Sequence, residues 1–196
     1  LNVTKTGAGT QTLSGTNTYS GKTSINGGIL QFAKTASLYS GTTASWTAAN
    51  ITAASGATLA LNVGGTNEFA AADVDTLLGN VSVTTSTTTG LQAGARVGFD
   101  TTNATGGTFT QGNAIGDATG TNPGAIGVTK LGTGKLVLDE TNTYTGPTTV
   151  TGGTLEISGS IGATQWRRKR PGLSASSSAA VEGAAISRVG GESSAT

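Results

Sequence analysis

Few groups in this chain could do chemistry. Of its 196 residues none is Cys and none is His. That removes disulfides, thiolate metal sites, the commonest general base and the commonest metal ligand. Carboxylates remain: Asp73 and Asp75, two positions apart, and Asp100 and Asp117 in Gly/Thr-rich stretches. A carboxylate pair at the right separation can cleave a glycosidic bond, one group as acid and the other as base or nucleophile. The sequence gives no separation. Asp73 falls in a segment with helical spacing and Asp117 in a loop, places where Asp more often caps or turns the backbone. Calcium is the other use for such groups, but neither the Gly-Gly-x-Gly-x-Asp repeat nor an EF-hand loop is present. The single charge run, Arg167, Arg168, Lys169 and Arg170, could be a protease site or an anion patch. Without an aromatic-rich binding fold it reads as a solvated cluster, with no nucleic-acid partner. The sequons at Asn2, Asn50, Asn80 and Asn103 arise by chance in a Thr-rich chain. No catalytic, cofactor-binding or metal-ligating residue is therefore expected, and no cofactor.

The elements that would position such groups are legible in the composition. Gly contributes 32 residues and Thr more, against 11% charged and 5% aromatic residues. Thr favours strands and Gly favours turns. No apolar run approaches the roughly 20 residues that cross a bilayer. The chain starts at Leu1 and contains no Met, so it reads as an excerpt of a longer protein. Charge is unevenly spread: residues 1–163 hold six Lys or Arg against eight Asp or Glu, and residues 164–196 hold five against two.

The chain also repeats itself. Val3–Phe32 aligns without a gap on Val128–Ile157, with 15 of 30 positions identical. The shared set includes Gly7/Gly132, Gly9/Gly134, Leu13/Leu138, Asn17/Asn142, Tyr19/Tyr144, Gly21/Gly146, the Gly-Gly pairs at 27–28 and 152–153, and Leu30/Leu155. Low-complexity drift shares Gly and Thr easily, but not Asn, Tyr and Leu in register with them. Each copy reads as strand, turn, strand, turn, strand. Leu136 and Leu138 alternate, "DETNTYTG" turns, "PTTVT" extends, Gly152-Gly153 turns, and Leu155 and Ile157 alternate. Asn17 and Asn142 would support their turns through side-chain bonds to the backbone, and Tyr19 and Tyr144 would each lay a ring over the turn.

Between the copies, "GATLALNVGG" alternates at Leu59, Leu61 and Val63, "NVSVTT" at Val81 and Val83, and "GGTFTQGN" offers Phe109. One stretch breaks the pattern: Phe69, Val74 and Leu77 fall near helical spacing. This predicts one short outer helix within 67–78, capped by Thr66 or Asn67 and stopped by Gly79. A coil of this size buries little alone, so coils must stack, with strands of neighbouring coils about 4.8 Å apart. Repeats of roughly 20–45 residues place about 3–6 coils between the two copies. A sandwich would show hairpin connections and larger core residues.

"GAGTQTLSGTNTYSGKTSINGGILQF" and "KLGTGKLVLDETNTYTGPTTVTGGTLEI" resemble the autotransporter-associated β-strand repeat, also called the passenger-associated transport repeat. Its pattern is a Lys-x-Gly-x-Gly start, a Leu-containing strand, an Asn-Thr-Tyr-[Ser/Thr]-Gly turn and a Gly-Gly-x-Leu finish. The first copy departs from it at Thr6 and the second at Asp139-Glu140. The middle, with "GLQAGARVGFDTTNATGGTFT", resembles the spacers of large surface proteins that carry the repeat. The resemblance implies an all-β chain, a right-handed parallel β-helix, in a secreted or surface-displayed passenger of a Gram-negative bacterium. There the repeat supports secretion and folding, not catalysis.

The expected organisation is a β-solenoid over residues 1–163 and a flexible basic, Ser/Ala-rich tail over 164–196. The tail lacks the repeat grammar, and an appended non-native segment or an out-of-frame translation would explain it. Function is read as a structural stalk. An adhesin that binds a glycan or host surface along one solenoid face is the alternative, and a polysaccharide lyase or hydrolase comes third. An exposed aromatic patch would favour the adhesin, but the sequence has only Trp46, Trp166, three Tyr and four Phe. The expected partners are neighbouring coils of the parent solenoid and, for the chain alone, further copies of itself through open strand edges.

Overall fold

A computed structural model of the chain describes residues 1–161 and a short strand at Ile186–Ser187. The expected tail from residue 164 lies outside the described residues, apart from that strand. Every ladder of two or more residues is parallel. The longest sheet has six strands in chain order: Thr10–Leu13, Ile29–Phe32, Thr58–Asn62, Arg96–Asp100, Gly127–Leu131 and Thr148–Val150. A second sheet stacks Val3–Lys5, Thr23–Ile25, Ile51–Ala53 and Gly90–Leu91. A third stacks Thr108–Gln111, Lys135–Leu138, Thr154–Ile157 and Ile186–Ser187. Parallel neighbours that follow one another in sequence require a full turn of chain between them, so this is a β-solenoid.

Register gives the coil lengths. Successive partners in the long sheet are Thr10 and Ile29, Ile29 and Thr58, Thr58 and Arg96, Arg96 and Gly127, and Val128 and Thr148. Those steps are 19, 29, 38, 31 and 20 residues. The two short coils are the two repeats, and the long ones carry the insertions. The solenoid core is a set of columns. Leu13, Phe32, Leu61 and Phe99 form one, and Leu30, Leu59, Val97 and Val128 another. Apart from Leu13, each of these is at most 1% exposed.

The 38-residue coil holds the one α-helix among the described residues, Ala71–Val81. It starts and ends later than the sequence predicts. Asn67 adopts φ +62° in a turn, and Glu68 accepts from the Gly65 N–H at 3.0 Å, so that turn is closed by other means. The helix is capped instead by Asp73, whose carboxylate accepts from the Ala70 N–H at 2.9 Å. Gly79 sits on the exposed side and does not stop it. Val74, Leu77 and Val81 are fully buried, and burying Val81 rewards the last turn. The expected strand through Val81 and Val83 is thereby reduced to Val83–Thr84. A run of tight turns over Thr35–Ser45 leads to Trp46, which is wholly buried 5.6 Å from the Phe69 ring and donates to the Leu38 carbonyl at 3.2 Å. No helix among the described residues is long and apolar enough to cross a membrane.

Candidate functional site

Residues common to the two repeats meet at a corner, and the Lys, Gly and Asn among them reach the neighbouring coil. Lys130 lies in a core column between Phe99 and Val150 and is fully buried. Its ammonium donates to the carbonyls of Leu131 at 2.5 Å, Gly132 at 2.9 Å and, one coil on, Gly152 at 3.2 Å. Lys5 does the same with Thr6 at 2.7 Å, Gly7 at 2.8 Å and Gly27 at 3.1 Å. A cation can be held inside because three oxygens replace its water. Burial pushes Lys130 down to about 8, against the opposing pull of Asp100. Sequence reading finds this Lys as part of a pattern but misses its task. The signal was its place in the strand alternation, two positions after Val128 and therefore facing inward.

The glycines are needed because two corners stack. Gly153 has φ +66°, and a Cβ there would land on the carbonyl oxygens of Gly132 and Gly134. Gly28, φ +64°, sits the same way over Gly7 and Gly9. The Lys-x-Gly-x-Gly start and the Gly-Gly finish are thus one joint seen in successive coils.

Asn142 is 2% exposed and reaches in both directions. It donates to the Glu140 carbonyl at 2.8 Å and to that of Ser160, one coil on, at 3.2 Å. Its side-chain oxygen accepts the Ile115 N–H from the coil before, at 2.8 Å. Asn17 donates to the Ser37 carbonyl at 2.8 Å. Asn142 makes the expected local bond, to Glu140, and bridges coils as well, whereas Asn17 only bridges coils; Thr141–Asn142 is itself a short strand beside Ser160–Ile161. The tyrosines are corrected. Tyr144 is fully buried inside the corner rather than laid over it, with its hydroxyl 2.7 Å from Thr148 Oγ1. Tyr19 stands 2.8 Å from Thr23 Oγ1 in the same way. Burial pushes both phenols up to about 12, opposed by the bonds to Thr148 and Thr23. The Tyr39 phenol is also raised by burial. Its ring lies 4.6 Å from that of Tyr19. Tyr39-Ser40-Gly41 repeats Tyr19-Ser20-Gly21 one short coil later, a partial copy that was readable in the sequence.

The four Asp residues do not converge. Asp73 caps the helix. Asp75 accepts from Gln111. Asp100 accepts from Gln31 at 2.8 Å and closes a turn through the Thr102 N–H at 2.9 Å. Asp117 takes the N–H groups of Ile126 at 2.9 Å and Thr145 at 2.7 Å. Asp75 and Asp117 do border one cleft of about 220 Å³ beside the helix, with Gln111, Ser82 and Ile115. Both carboxylates there are already engaged: Asp75 ties the helix to the strand end at Gln111, and Asp117 holds backbone N–H groups of two loops. No group of three or more Asp or Glu able to hold a metal occurs among the described residues. Among those residues most aromatics face inward: Trp46, Phe32, Phe69, Phe99 and Tyr144 are fully buried, Tyr39 and Phe109 nearly so, and Tyr19 is half-buried. The Arg167–Arg170 run lies outside the described residues.

No curated protein and no solved structure matches the chain. The family model for the passenger-associated transport repeat matches twice, at residues 3–32 and 128–157, the two segments whose shared residues build the stacked corners. The chain is thus a parallel β-solenoid carrying two passenger-associated transport repeats, the repeat of autotransporter passenger regions.

Proposed function

We propose that this segment is a structural stalk of a secreted or surface-displayed passenger, and that its repeats help the chain fold as it is exported. One observation carries the reading: in each repeat the signature Lys, Gly-Gly and Asn are spent on bonds or contacts to an adjacent coil. Such a joint forms as soon as two consecutive coils are available. It needs nothing distant in sequence, which suits growth from one end. The short 19- and 20-residue coils close with the least loop entropy and would be the first to lock.

The test uses the parent protein in its own export system. Gly153→Val and Asn142→Ala, separately, should lower the passenger that reaches the cell surface several-fold without changing the amount synthesised. Unchanged surface levels would overturn the role in export-coupled folding.

A further inference from the structure

The cleft beside the helix lies in the middle of the solenoid. One wall is the helix and its cap, through Asp75, Leu78, Gly79 and Ser82. The other is the loop from Asn113 to Asp117, which follows the strand Thr108–Gln111. Val97 and Ile126, at most 1% exposed, form the floor, so the cleft reaches down to the core. Its volume of about 220 Å³ is below the roughly 300–1,000 Å³ of clefts that take drug-sized ligands, so it suits a smaller molecule.

Both walls are fixed in advance. The Ile115 N–H meets Asn142 Oδ1 at 2.8 Å, and its carbonyl accepts from the N–H groups of Thr143 at 2.9 Å and Tyr144 at 3.1 Å. Asp117 joins the same loop to Ile126 and Thr145. The second repeat thus holds one wall in place. Gln111 donates to Asp75 Oδ1 and ties the helix wall to its strand. A site whose walls are already held loses little ordering entropy when it binds.

The charge on the lining has one sign. Asp75 and Asp117 are its charged residues, and neither Lys nor Arg is among them. The C-terminal turn of the helix borders the cleft too. Its carbonyls form the negative end of the helix dipole, and that turn has no basic side chain to offset them. Acceptors are also left over. Asp75 Oδ2 has no partner among the described residues. Gln111 is 2% exposed, and its Oε1 is unpaired and shut off from water. An acceptor buried in that way costs free energy until a donor meets it. The rest of the surface is hydrocarbon, from Leu78, Val97, Ala114, Ile115 and Ile126.

We propose that this cleft binds a small aliphatic amine as its ammonium ion. The ammonium donates to Asp75 Oδ2. It also displaces the Gln111 amide, which turns about its last bond and presents Oε1 to the same cation. The alkyl chain lies on Leu78, Ile115 and the floor. Asp117 adds attraction across the cleft while it keeps its backbone bonds. The hydrocarbon floor favours an organic cation over a bare metal ion. This site belongs to the spacer between the repeats and does not rest on the stalk reading.

The test titrates the full-length, ¹⁵N-labelled chain with n-butylamine at pH 7, where an alkylamine is charged. The backbone amide signals of Leu78, Ser82, Asn113 and Ile115 should shift together and saturate. n-Butanol, of the same shape without the charge, should bind at least several-fold more weakly, and butyrate should not bind. Asp75→Asn keeps an acceptor for Gln111 and should weaken amine binding several-fold. Gly79→Lys places a tethered ammonium at the rim, at a helical glycine where a Cβ meets nothing. It should also weaken binding several-fold, and it decides the matter if Asp75→Asn fails to fold. Shifts that are absent or scattered over the chain, butanol binding as tightly as the amine, or unchanged affinity in either folded variant would overturn the proposal.

Discussion

The two repeats share half their residues, yet they sit in different surroundings. Leu138, Lys130, Tyr144 and Asn142 are at most 2% exposed, while Leu13, Lys5, Tyr19 and Asn17 are only partly buried. Local structure is nearly the same in both: four matching strands, the same positive φ at Gly7 and Gly132 and at Gly28 and Gly153, and the same Lys-to-carbonyl bonds, though the strand Thr141–Asn142 has no counterpart at Thr16–Asn17. What changes is the coil ahead. The motif therefore fixes the shape of a corner, and stacking decides how much stability that corner yields.

This comparison breaks most visibly in the core. Leu138→Asp should cost about 4–5 kcal/mol, because it buries a charge with no partner. Leu13→Asp should cost about 1 kcal/mol, since that position is open on its front side. Denaturant midpoints measure both. Similar losses would mean that the front coil is covered in solution.

Next come the glycines. Gly7 and Gly132 are equivalent and share a left-handed φ, +74° and +71°. A Cβ on Gly7 meets nothing, whereas one on Gly132 meets Asp100 and Thr102. Gly7→Ala should therefore cost only the backbone strain, about 1–2 kcal/mol, and Gly132→Ala about 3–4 kcal/mol, with the clash added. Thermal unfolding separates them. Equal costs would mean that backbone strain alone sets the price of the corner.

These positions also show what could be read in advance. Alternation at Leu59 and Leu61, the Gly-Gly pairs and the gapless repeat pointed to stacked coils, because each is a local demand of strand or turn; that the strands run parallel was what the family resemblance implied. The helix boundaries were not, since Val81 is helical only because a buried site awaits it, and Asn67 fails as a cap because Glu68 closes its turn instead. The tasks of Lys130 and Asn142 lay hidden for a related reason. Their distant partners, Gly152, Ser160 and Ile115, are neighbours only after a full turn of chain. A reader of one sequence sees an Asn and assumes the nearest turn.

The Asn pair gives a smaller contrast. Asn142 has three backbone partners, and Asn17 has one through its side chain. Asn142→Ala leaves the buried Ile115 N–H unpaired, removes the bonds to Glu140 and Ser160, and should cost about 2–3 kcal/mol. Asn17→Ala should cost about 1 kcal/mol or less. Equal values would show that Asn17 also bridges two coils in solution.

The mildest probe is pH. Lys130, lowered to about 8 from an ordinary value of 10.5, binds its proton less well folded than unfolded. Between pH 8 and 10.5 the unfolded chain therefore holds more protons, and stability rises with pH. Carbonyl bonds to the charged form hold the gain to on the order of 1–2 kcal/mol. The tyrosines act oppositely. Tyr19 and Tyr144 are raised from 10.0 to about 12, so their contribution is complete below pH 10 and is lost as pH climbs toward 12. Tyr39, also raised, adds to the loss. Stability should climb gently from pH 8, peak near 10 and then fall. Lys130→Met should be less stable at pH 8 and lack the climb, yet keep the alkaline fall. A climb that survives in Lys130→Met would assign it to another group. A wild-type profile that falls from pH 8 onward would mean that the three carbonyls stabilise the charged ammonium more than its burial disfavours it.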